Sequence, residues 1–136
     1  MICFLLLEED HLRTVVKTGL PEDDSPIEWA IRAENSVFTA QIPIRADGSI
    51  ETGSPYQQAV LTFQNLKKTV EAAGGTMANV TQVIVYLTTK DAFADMNKAF
   101  AAAFEKPYPN RATLIVAGLM VPGACIEITA TCHLKT

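Results

Sequence analysis

A chain of 136 residues has room for one domain, and 49% apolar against 19% charged residues is the composition of a chain that buries a core rather than staying disordered. Its formal net charge of -4 offers no basic footprint for a phosphate backbone, so nucleic acid is excluded as a favoured partner and a small molecule preferred. Three cysteines (Cys3, Cys125, Cys132), with no CxxC or His-rich spacing, argue against a disulfide framework or a zinc motif, and the cytosol is the compartment that fits.

The first residues, MICFLLL, are too short an apolar run to span a bilayer, lack a preceding positive charge, and lead directly into Glu8, Glu9 and Asp10. Residues 1–12 therefore read as an N-terminal extension, disordered or translated from a start upstream of the true one, and the domain is expected over 13–136. Arg13–Thr18 (RTVVKT) is β-branched and closed by Gly19 and Pro21, a first strand, after which PEDDSP is a solvated turn. Stretches 28–33 and 36–44 flank Glu34-Asn35-Ser36 with Trp29, Ile31, Val37, Phe38 and Ile42, which predicts a hairpin; Asp47-Gly48 marks the next turn.

Ser54-Pro55 opens a helix, Ser as N-cap and Pro in its first position. Ala59, Phe63, Leu66, Val70 and Ala73 then recur at spacings of four and three until Gly74-Gly75 ends it. Val80–Thr89 (VTQVIVYLTT) is too apolar for a half-exposed strand and is expected in the middle of a sheet. Asp91 is expected to cap a second helix whose stripe of Phe93, Met96, Phe100, Ala103 and Phe104 faces a core, with Pro107 as its stop. Two strands, 111–119 and 124–134, follow on either side of the Val121-Pro122-Gly123 turn.

This order predicts an α+β domain with two helices on one face of a sheet. The other face is left uncovered, and a second copy of the chain is the simplest thing to cover it, so an oligomer is expected. Strand parity then places the chemistry. In the last strand Ile126, Ile128, Ala130, Cys132 and Leu134 form the core row, so Glu127 points away from the helices. Taking Ala112, Leu114 and Val116 as the core row of the preceding strand places Arg111, Thr113 and Ile115 on the face of Glu127. An Arg fork suits a carboxylate and a Glu can hold or deprotonate water; an ordinary cross-strand ion pair, worth under about 1 kcal/mol, fits the same residues. Tyr86 and Thr88 share a strand face suited to interface packing. His11 and His133 lack a second ligand in step and read as solvated. Cys125 and Cys132 have opposite parity on one strand and cannot bridge.

Four segments carry a resemblance: TAQIP at 39–43, AAGG at 72–75 ahead of NVTQVIVYLT, FADMN at 93–97, and PNRATLIVAGL with GACIEITA within 109–130. From about Thr14 to the C-terminus the chain resembles the reactive-intermediate deaminase family, RidA-like or YjgF-like proteins. The resemblance implies a chorismate-mutase-like fold with a mixed sheet, assembled as a homotrimer around a barrel core with sites in clefts between subunits. It also implies hydrolysis of reactive enamines and imines, such as 2-aminoacrylate, to the 2-keto acid and ammonia without metal or cofactor. Arg111 would bind the substrate carboxylate and Glu127 the attacking water, with Asn97 and Thr39 lining the cleft. Three positions depart from the family pattern: Ile27 stands where a tyrosine is usual, Ala40 where a glycine is, and Thr113 where a cysteine is. They imply a divergent pocket, and leave a non-catalytic carboxylate-binding or regulatory trimer as the alternative. Ribonuclease activity finds neither a His pair nor a basic groove in this acidic chain.

Overall fold

The computed structural model describes residues 12–135; apart from Leu12, the expectation for residues 1–12 lies outside them, as do Cys3 and His11. The elements in chain order are β1 (Thr14–Val15), β2 (Ala30–Ala33), β3 (Ser36–Gln41), α1 (Pro55–Ala72), β4 (Val80–Leu87), α2 (Phe93–Ala103), β5 (Asn110–Ile115) and β6 (Ile126–His133). They make a single α+β domain. Its six-stranded sheet has the order β1-β2-β3-β6-β4-β5, antiparallel except where β5 joins β4 in parallel.

Local chemistry sets most boundaries. The β2–β3 hairpin closes with Ala33 opposite Ser36, and Glu34 takes a φ of 53°, the left-handed conformation that such a two-residue turn requires. Ser54 caps α1 in a full capping box: its hydroxyl accepts from the Gln57 N–H while the Gln57 side chain accepts from the Ser54 N–H. Gly74, at φ 94°, then carries the chain past the end of α1. Some expectations shift. The first strand pairs over two residues only, and α2 begins later than Asp91 suggested. There the Thr89 hydroxyl accepts from the Asp91 N–H, and a 3-10 turn over Lys90–Ala92 leads into the helix.

The core lies between the helices and one sheet face, where Leu66, Val70, Val83, Val85, Leu87 and Ile128 are fully buried. Burying one such side chain stabilises the fold by about 2 kcal/mol. Phe63 of α1 meets Phe100 of α2 edge-on, with ring centroids 5.6 Å apart, and Phe104 closes against both. None of the described helices is long and apolar enough to cross a membrane.

The expected parity of β5 is corrected. Because β5 runs parallel to β4 with Arg111 level with Val83 and Thr113 level with Val85, the row Arg111, Thr113, Ile115 shares the helix side with buried valines. Ala112 and Leu114 instead face the uncovered side, and Leu114 is 46% exposed. The apolar character of Leu114 suggested a core position, but alternation alone never says which row meets which layer. The parity of β6 holds, with Ile126, Ile128, Ala130 and Cys132 buried and Glu127 on the opposite face beside Tyr86. The uncovered face is broadly apolar: Ile31, Phe38, Ala40, Ile84, Tyr86 and Leu114 share it with Thr129 and Glu127.

Candidate functional site

Arg111 is built into place by α2. Phe93, Met96, Asn97 and Phe100 recur at helical spacing along one stripe of that helix, and the Arg111 side chain reaches across it from the sheet edge. Its Nη2 donates to Asn97 Oδ1 at 2.9 Å, and its Nη1 donates weakly to Met96 Sδ at 3.8 Å. The guanidinium carbon lies 4.6 Å from the centre of the Phe100 ring and 5.9 Å from that of Phe93. Such a cation over an aromatic face is worth about 0.5–2 kcal/mol, depending on how far water is excluded. Partial burial lowers the proton affinity of Arg111, yet a guanidinium stays charged at neutral pH.

Every partner of that cation is neutral. Among the described residues the ion pair is Arg45 with Glu51, 3.2 Å apart, and no carboxylate reaches Arg111. Its remaining donors meet no acceptor among the described residues.

Glu127 is the complementary group. It is half-buried on the uncovered face, its cross-strand neighbour is Tyr86, and no donor among the described residues satisfies it. Burial therefore pushes its carboxyl pKa above that of an ordinary glutamate. With β4 between their strands and their side chains on opposite faces, Arg111 and Glu127 do not share a surface within one protomer.

The other candidates divide. Asn97 is exposed and touches Arg111 directly. Thr113 follows Arg111 on the same row of β5. Ala40 lies on the uncovered face beside Thr129, and Ile27, 77% exposed, sits in the loop ahead of β2. Thr39 is inside the protomer: its hydroxyl donates to the Trp29 carbonyl and accepts from Gln41 Nε2, which also donates to Thr69 Oγ1. Trp29 is itself tied to the Pro21 carbonyl, and Tyr56 of α1 lies under Lys98 of α2. Sequence reasoning missed Phe93, Met96 and Phe100 as the bed of Arg111. Their spacing was visible but reads equally as core, and Phe93 at 45% exposure is not core. Among the described residues no three His, Cys, Asp or Glu side chains converge as a metal-binding group.

The family model described as Endoribonuclease L-PSP matches residues 25–134, which span β2 to β6, both helices, Arg111 and Glu127. The chain belongs to this family, that of the RidA/YjgF proteins. A RutC family protein of Pyrococcus horikoshii is 37% identical over 115 residues, covering 83% of this chain and 90% of the relative. A protein of Dermatophagoides farinae named 2-iminobutanoate/2-iminopropanoate deaminase is 29% identical over 110 residues, 79% of this chain and 86% of its own. The crystal structure of RidA from an Antarctic Psychrobacter superposes with a TM-score of 0.82 at 30% identity, covering 89% of this chain and 98% of the other. In this RidA-family chain the sheet edge therefore presents a pre-oriented cation, and the uncovered face presents a half-buried carboxyl with no donor among the described residues.

Proposed function

We propose that the protein is a hydrolytic deaminase of reactive enamines and imines derived from amino acids, working as a homotrimer with its sites between subunits. The observation that carries this reading is Arg111, a cation held in one orientation by Asn97 and Phe100 with no carboxylate among the described residues against it. A 2-imino acid supplies that carboxylate. The deaminase name of the Dermatophagoides relative supports the same reaction class.

Glu127 completes the site from a neighbouring copy. The protomer places it on the apolar, uncovered face, the surface a second copy would bury, while Arg111 stands at the sheet edge. In the reaction Arg111 binds the substrate carboxylate and fixes the C=N carbon; Glu127 takes a proton from water as its oxygen bonds to that carbon. The proton passes to nitrogen; the adduct's hydroxyl then gives its own proton, by way of Glu127, to the same nitrogen as its oxygen becomes the keto carbonyl and the C–N bond breaks, releasing ammonia and the 2-keto acid. An enamine first gains a proton at its β-carbon to become the imine. An imine is labile already, so orientation and one base suffice.

The test generates imino acids in place with an amino-acid oxidase and traps what remains with semicarbazide. The wild type should accelerate imine loss, and both Arg111→Ala and Glu127→Gln should abolish the acceleration. Carboxylate binding that depends on Arg111, without acceleration of any imine, would make the protein a binding or regulatory member of the family.

A further inference from the structure

We infer that Phe93 selects the side chain of the bound ligand, favouring carboxylates that carry a large apolar or aromatic group. The inference rests on the reading that Arg111 takes the carboxylate. The guanidinium lies between two aromatic rings of one helix stripe, and these rings are in opposite states. Phe100 is 5% exposed and already packed by Phe63 and Phe104, whereas Phe93 is 45% exposed beside the charged group. Phe93 is thus the aromatic surface that a molecule paired with Arg111 meets.

The sheet side of the same opening agrees. Thr113 follows Arg111 on its row at about 6.6 Å, two residues of extended chain, and Ile115 follows Thr113, still 47% exposed. The bed of the cation, Phe93, Met96, Asn97 and Phe100, contains no second charge, and neither do Thr113 and Ile115 further along its row. An apolar ligand side chain placed on Phe93 would cover the exposed ring, whereas a charged one would lose water against it.

Two 2-oxo acids that cannot be deaminated, pyruvate and phenylpyruvate, test this by calorimetric titration of the full chain. The wild type should bind phenylpyruvate about tenfold more tightly than pyruvate, the scale on which apolar pockets discriminate. That ratio should fall toward one in Phe93→Ala and persist in Phe93→Trp, and both acids should lose affinity in Arg111→Ala. An equal ratio in wild type and Phe93→Ala, or no preference in the wild type, would overturn the role of Phe93. Preserved preference in a protein with no imine turnover would sink the deaminase reading and leave Phe93 standing. Failure of both acids to bind the wild type would overturn both.

Discussion

Arg111 and Glu127 stand on opposite faces of one sheet, on the two strands that flank β4: Arg111 is level with buried Val83 on the helix side, Glu127 level with Tyr86 on the uncovered side. A small substrate cannot touch both within one protomer, so the proposed mechanism requires them to come from different copies. Mixing two inactive proteins, Arg111→Ala and Glu127→Gln, should therefore restore activity. Random exchange leaves about a quarter of the intersubunit sites with both residues intact. Turnover approaching a quarter of wild type after co-refolding supports the shared site; none, with mixed oligomers confirmed by mass, shows that each protomer supplies its own pair.

Arg111→Lys keeps a positive charge but loses the planar fork that reaches Asn97 and lies on Phe100. We expect kcat/KM to fall about 100-fold, roughly 2.7 kcal/mol of transition-state stabilisation. Steady-state kinetics on one imine check this, and a Lys variant within threefold of wild type would remove the case for oriented recognition.

The pH profile follows from Glu127. Burial raises its folded pKa, so the general base is lost by protonation at a higher pH than for an ordinary glutamate, and the acid limb of kcat/KM is displaced upward. The stability effect has a matching sign: the raised pKa favours the protonated carboxyl in the fold, so its stabilising contribution is complete below the unfolded pKa. That contribution is lost as pH rises through the folded one. Glu127→Gln should flatten this part of the stability profile, as read by urea titrations across the acid range. An unchanged slope would assign the pH dependence to other groups.

Thr39 offers a contrast with the site. Thr39→Val removes the hydroxyl that serves the Trp29 carbonyl and Gln41, whose own Oε1 already has no partner among the described residues. Leaving buried polar groups unpaired costs about 1–3 kcal/mol. Chemical denaturation should show that loss while the KM of folded enzyme stays within about twofold. A large rise in KM at unchanged stability would return Thr39 to the ligand's surroundings.

The cysteines should differ in reactivity. Cys132 is fully buried on the helix side of β6 and its thiol is pushed up to about 11, so it carries almost no thiolate at neutral pH. Peptide mapping after alkylation of native protein should leave Cys132 unmodified until denaturant is added, and rapid native labelling there would mean that β6 opens readily.

The hairpin, the capped α1, the central β4 and the two final strands were legible because each is written locally: Glu34-Asn35 between β-branched runs, Ser54 with Gln57, a continuous apolar stretch, a turn at Pro122-Gly123. Arg111 and Glu127 pair in the sequence through a shared strand parity, which β5 overturns, and through the family resemblance of their segments. What the chain could not reveal by pattern was the side of the sheet each occupies. Alternation along a strand is a local property, but the face a row presents depends on which neighbour it pairs with and in what register. Once β5 docks in parallel beside β4, Val83 carries Arg111 to the helix side and leaves Leu114 facing outward. Helix packing likewise turns Phe93 and Phe100, equivalent letters in a helical stripe, into an exposed ring and a buried one, because Phe63 of α1 packs against the second.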